Sequence, residues 1–259
     1  MNKNELRNID LFVLDMDGTI YLGEKILPGA IEFVHTARAK GKKVVFFTNN
    51  ASKNPANYVD KLNRMGFGAT REDVVTAGDV TIEYLKKYRT GKPVYLVGTP
   101  ALHQSFAESN VEISENADIV VSSFDTTLTY EKLVTACDLI RNGAEFFCTH
   151  PDFNCPTENG FIPDSGAIAA LITASTNVEP KYFGKPYKET ADMISDLFGV
   201  PFEKTAIVGD RLYTDIALGK NNGLMSVLVL SGETKIDDIN ESNAPDIILN
   251  GIGEIIEYL

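Results

Sequence analysis

Short apolar runs alternate with amphipathic stretches along this chain, a pattern that predicts strands and helices in turn. Residues 11–14 (LFVL) read as a buried strand, and 28–40 as a helix with Pro28 near its start and Gly41 as its stop. Residues 44–47 are a second expected strand, 55–65 a helix ending at Gly66, 74–76 a short strand and 80–88 a helix. This is the βαβ rhythm of a parallel, doubly wound sheet.

The turn signal TGKP at 90–93 interrupts the rhythm. A second series follows: strands at 94–97, 119–122 and 146–147, with helices near 101–107 and at 131–141 and 167–175. Between the last strand and the last helix lies the loop CTHPDFNCPTENGFIPDSG, rich in Pro, Asn and Gly and too long for a simple connector, so a binding role is expected of it. After Phe183 the first pattern resumes, with helices at 189–198 and 214–220 and strands at 206–208, 225–230 and 247–249. The expected fold class is therefore α/β, with one domain formed by 1–89 and 180–259 and a second α/β module, 90–179, inserted in it. A continuation of the same sheet would separate the motifs below awkwardly.

Charge narrows the partners. The formal net charge is −12, which argues against nucleic acid or an anionic membrane, because both reward clustered Lys and Arg. No apolar run approaches the roughly 20 residues needed to cross a bilayer, and the first residues have no apolar signal stretch, so a cytoplasmic location is expected. The three cysteines form no CxxC pair and are expected as free thiols. An anionic substrate would need a local cation, a lysine or backbone amides to meet its charge.

Four polar clusters could supply them. DMDGT (15–19), TNN (48–50) and GDRLYTD (209–215) each fall at the carboxyl end of an expected core strand, and such ends share one edge of an open parallel sheet, where ligands bind. GKP (184–186) is expected to open a helix, with Pro186 at its first position and Lys185 where anions are favoured. Asp15 and Asp210 could share a divalent cation through oxygen ligands, the mode of Mg²⁺. Asp15 could then attack phosphorus as a nucleophile, while Asp17 protonates the leaving oxygen. Thr48, Asn49 and Lys185 could stabilise the equatorial oxygens, and Asp215 could orient a metal-bound water or Lys185. Taken alone, TNN also reads as an Asx-rich turn and GKP as a solvated helix start.

In this order the motifs resemble the haloacid dehalogenase superfamily. Asp17 places the chain on its phosphatase side, since dehalogenases lack that second carboxylate. The strings FFTNN, THPD, PDSGAI and GDRLYTD resemble the NagD/4-nitrophenylphosphatase branch. The resemblance implies a Rossmann-like core with an inserted α/β cap. It implies Mg²⁺ held by Asp15, Asp210 and the backbone carbonyl of Asp17, and phosphate held by Thr48, Asn49, Asn50 and Lys185. It also implies small phosphomonoester substrates, with specificity in the cap. His150, Asp152 and Asn154 on the long loop are then candidates to touch the leaving group, the other reading being that they only shape the loop. A phosphomutase, or an idle binding protein on the same fold, is the alternative function. Oligomeric state is left open, a homodimer included.

Overall fold

The structure is a computed structural model that describes residues 2–157 and 160–259. In chain order its elements begin with β1 (Leu11–Asp15), β2 (Tyr21–Leu22), β3 (Lys25–Ile26), α1 (Ala30–Ala39), β4 (Lys43–Thr48), α2 (Pro55–Arg64), β5 (Val74–Thr76) and α3 (Ala77–Tyr88). They continue with β6 (Val94–Val97), α4 (Pro100–Glu108), β7 (Ile119–Ser122), α5 (Tyr130–Arg141), β8 (Glu145–Cys148), β9 (Asn154–Thr157), β10 (Gly160–Pro163), α6 (Ser165–Thr176) and β11 (Lys181–Tyr182). The chain closes with α7 (Lys188–Phe198), β12 (Thr205–Gly209), a single π-helical turn (Leu212–Ile216), α8 (Ala217–Asn222), β13 (Met225–Val229) and β14 (Ile247–Leu249).

The chain divides into two compact units. One comprises Met1–Thr48, Pro55–Val75 and Lys185–Leu259, the other Asn49–Asn54 and Thr76–Gly184. In the first unit a sheet runs in the order β14-β13-β12-β1-β4-β5, with β14, β13, β12, β1 and β4 parallel. β1 lies at its centre, between β12 and β4, and is buried on both faces, which is why its sequence is a continuous apolar run rather than an alternation. The core beneath it joins Phe12 and Leu14 to Phe33 and Val34 of α1, Leu62 of α2 and Ile252 and Ile255 near the C-terminus. Phe12 and Phe33 meet edge to face, with ring centroids 5.3 Å apart. The order of strands reverses at β1: the chain leaves toward β4 and β5 and returns through β12, β13 and β14. Ligand sites of open α/β sheets form at such a switch point, beyond the carboxyl ends of the strands.

The second unit is built on a parallel sheet in the order β11-β8-β7-β6, with Val97, Val120 and Phe146 packed against Leu133, Ala136 and Ile140 of α5 and Ile168 and Ile172 of α6. Its limits differ from the expected 90–179. α3 belongs to it, because Tyr84 packs on Phe147 and Phe183 with ring centroids 5.8 and 4.8 Å away, and the junctions fall at Val75/Thr76 and Gly184/Lys185. The long loop also holds structure: β9 and β10 pair antiparallel within it. Residues 158 and 159 of that loop lie outside the described residues. Among the described residues, no helix is long and apolar enough to cross a membrane.

Candidate active site

Asp15 is the last residue of β1, paired in register with Phe47, and Asp210 follows the last residue of β12. Adjacent parallel strands thus deliver the two carboxylates to one edge. Asp215 returns to the same place through the π-helical turn, whose start is fixed by the Arg211 backbone N–H donating to Asp215 Oδ2 at 3.1 Å. Carboxylate oxygens of Asp15, Asp210 and Asp215 lie within 4.8 Å of one another, the arrangement expected of a cation site.

Lys185 neutralises part of this charge. Its Nζ lies 2.5 Å from Asp15 Oδ1 and 2.6 Å from Asp215 Oδ1, and 5.2 Å from the centre of the Phe47 ring. The side chain is only 2% exposed. Lys185 does not project from a helix entrance as expected: α7 begins at Lys188, and the cis Lys185–Pro186 bond precedes it. Burial disfavours the Lys185 charge, but Asp15 and Asp215 more than offset it and raise the ammonium above the usual lysine range. Burial pushes the Asp15 carboxyl up to about 7, against the pull of Lys185. Burial, with Asp215 nearby, pushes Asp210 up to about 6.

Asp17 stands apart from the three. It is exposed, on the turn that leads into the β2–β3 hairpin. Desolvation by the surrounding protein raises its carboxyl, while Lys61 and Arg211 draw it down. Lys61 on α2 lies over the Tyr21 ring at 3.7 Å. A carboxyl held above its ordinary range, beside but not in the acidic cluster, suits proton transfer.

Two polar atoms test whether a hard cation fits. Asp210 Oδ2 accepts the Glu233 backbone N–H at 2.7 Å, whereas Asp210 Oδ1 is buried with no hydrogen-bond partner. A bare buried carboxylate oxygen is costly unless something completes it. A divalent cation bound by Asp15 and Asp210 would do so, and the all-oxygen donor set matches Mg²⁺ chemistry.

Of the TNN motif, Thr48 closes β4, and the two asparagines open the second unit. Asn50 Oδ1 accepts from Ser52 N and Oγ at 2.9 and 2.7 Å, an Asx turn. Asn49 Nδ2 donates to Asp152 Oδ2 at 3.2 Å within that unit. His150, for which the sequence left open contact with a leaving group or a role in shaping the loop, is fully buried. Its Nε2 is 2.9 Å from Asp164 Oδ1 and its Nδ1 3.0 Å from Thr149 Oγ1, so the ring shapes the loop from within. Asn154 is exposed at the start of β9.

Arg211, Glu233 and Phe47 were missed by sequence reasoning. Arg211 lies within GDRLYTD, and its charge acts on Asp15, Asp17 and Asp210. Glu233 follows β13, another strand whose carboxyl end faces the same edge, and that position was the available signal.

A fold of this order with acidic motifs at its central strands has known counterparts. The family model "Haloacid dehalogenase-like hydrolase" matches residues 12–112, and a second HAD-hydrolase-like model matches residues 182–255. The chain belongs to the haloacid dehalogenase-like hydrolases. It is 34% identical to the 5'-nucleotidase YutF of Bacillus subtilis over 96% of this chain and 98% of that one. It is likewise 34% identical to the acid sugar phosphatase of Staphylococcus aureus, over 93% of each chain. Among solved structures, the 4-nitrophenylphosphatase of Thermotoga maritima superposes with a TM-score of 0.94 at 47% identity, covering 97% of this chain and 98% of the other.

Proposed function

We propose that the chain is a Mg²⁺-dependent phosphatase of small phosphomonoesters, acting through a phosphoryl group carried on Asp15. The observation that supports this most is the buried gathering of Asp15, Asp210 and Asp215 around Lys185, with one Asp210 oxygen left bare. The names of the relatives, phosphatases of sugars, nucleotides and 4-nitrophenyl phosphate, point to the same reaction class.

Asp15, Asp210 and the backbone carbonyl of Asp17 would hold the cation, whose charge offsets carboxylate repulsion and lets an anionic phosphate approach. An Asp15 carboxylate oxygen attacks phosphorus, and the bond from phosphorus to the leaving oxygen breaks. Asp17 gives that oxygen its proton. It then takes one from the water that attacks the acyl phosphate, and the bond between phosphorus and Asp15 breaks to release phosphate. Lys185, anchored by Asp15 and Asp215, brings fixed positive charge toward the transferring group, and Thr48, Asn49 and Asn50 are its further proposed donors. Substrate choice is assigned to the second unit, with Asp152 and Asn154 its polar candidates.

Release of phosphate from 4-nitrophenyl phosphate and a panel of sugar and nucleoside monophosphates tests the proposal. Activity is expected to vanish in EDTA, return with Mg²⁺ and be absent from a folded Asp15→Asn variant. Turnover indifferent to chelation, or substantial activity in Asp15→Asn, overturns it.

A further inference from the structure

The segment Ser231–Thr234, which follows β13, touches the acidic edge at four points. Ser231 Oγ donates to the Gly18 carbonyl at 2.8 Å, inside the DMDGT turn. The Glu233 N–H donates to Asp210 Oδ2 at 2.7 Å, and the Thr234 N–H to the Asp210 carbonyl at 3.3 Å. The Glu233 carboxylate pairs with Arg211 Nε at 3.1 Å. Between these fastenings, Gly232 passes so close to Asp210 that a Cβ there would run into its carboxylate and would sit 2.7 Å from its Cβ. Gly18 presses from another side: a Cβ on it would lie 2.6 Å from Asp210 Cγ and 2.8 Å from Oδ1. Gly232 has no left-handed φ, so the demand for glycine there is one of space, not of backbone conformation.

We infer that Ser231–Thr234 is a clamp that positions Asp210 for the cation, with Gly232 and the Glu233 amide as its working parts. The inference rests on the metal reading proposed above and assigns residues that reading leaves idle. Oδ2 is occupied by the Glu233 amide, two glycines confine the carboxylate, and Oδ1 is thereby held bare. Outer partners of this kind fix the orientation of a ligand, and losing one typically costs roughly 10–100-fold in metal affinity. Ser231 completes the clamp by tying it to the turn that carries Asp17.

The test is Mg²⁺ titration of the metal-free full chain, read by calorimetry and by the rise in Tm with Mg²⁺ concentration. Gly232→Ala displaces the Asp210 carboxylate and is expected to weaken Mg²⁺ binding by about 10–100-fold. Ser231→Ala, which adds no bulk, is expected to weaken it by about 10-fold, and decides the matter if Gly232→Ala does not fold. The metal-free Tm of Ser231→Ala should stay close to that of the wild type, which separates positioning from general damage. Mg²⁺ affinities within about twofold of wild type in the folded variants overturn the clamp while leaving the metal reading intact. A wild type that takes up no Mg²⁺ overturns the metal reading, and the clamp with it.

Discussion

Lys185→Met isolates the electrostatic problem that this site poses. The lysine is almost fully buried and lies within salt-bridge distance of two carboxylates, 2.5 Å from Asp15 and 2.6 Å from Asp215. Methionine keeps most of the volume and deletes the charge, leaving three acidic groups within 4.8 Å and no ammonium between them. Removing one partner of a buried ion pair costs about 3–5 kcal/mol, because the remaining charge is uncompensated. For a chain of this size that corresponds to a fall in Tm of about 10 °C. The loss must depend on pH. Burial already raises Asp15 to about 7 in the metal-free protein, so the folded state holds a proton that the unfolded state has released. Stability from that group is present at acid pH and declines as pH rises toward 7. Without Lys185 the carboxyls rise further, and the decline steepens and extends to higher pH. Thermal unfolding of metal-free wild type and variant at pH 5.5 and pH 8 should show a larger deficit at pH 8. Saturating Mg²⁺ should narrow it, because the uncompensated carboxylates of the variant bind the cation more tightly, and each tenfold gain in affinity over the wild type recovers about 1.4 kcal/mol. A deficit below about 1 kcal/mol, or one equal at the two pH values, would refute the reasoning.

Two further outcomes follow from separate parts of the molecule. Asp17→Asn should lose less activity on 4-nitrophenyl phosphate than on an alkyl phosphate, because nitrophenolate departs without a proton; equal losses on the two substrates would remove Asp17 from the acid role. Phe33→Ala should cost about 3–5 kcal/mol by denaturant unfolding, because the ring is fully buried against Phe12, and a cost under about 1 kcal/mol would contradict the packing described for β1 and α1.

The central strands were legible because both their faces are buried, so LFVL in β1 and AIV in β12 stand out as apolar runs. Once those strands were placed, Asp15, Thr48 and Asp210 followed, each at or just past a strand's carboxyl end. Packing between distant segments was not legible. α3 reads like any other helix after a strand, and its packing, Tyr84 against Phe147 and Phe183 included, places it in the second unit. The antiparallel pairing of β9 with β10 was not legible because Pro156 and Gly160 are poor strand formers and most residues of the two strands are exposed, so no alternation marks them. Burial of His150 was hidden for a related reason. Its partners Asp164 and Thr149 complete a polar network that makes an imidazole tolerable in an interior, and a loop rich in Pro and Asn gives no hint of it. The clamp at Ser231–Thr234 depends on the absence of a side chain at Gly232, a contact that spacing does not reveal.

Borohydride reduction of rapidly quenched enzyme tests most directly whether Asp15 carries the phosphoryl group, since it converts an acyl phosphate to an alcohol. Mass spectrometry of the peptides containing residues 11–19 and 205–216, from enzyme mixed with substrate and Mg²⁺, should find the reduced side chain at position 15 and not at 17, 210 or 215. Reduction at another carboxylate, or at none while phosphate is being released, would contradict the account.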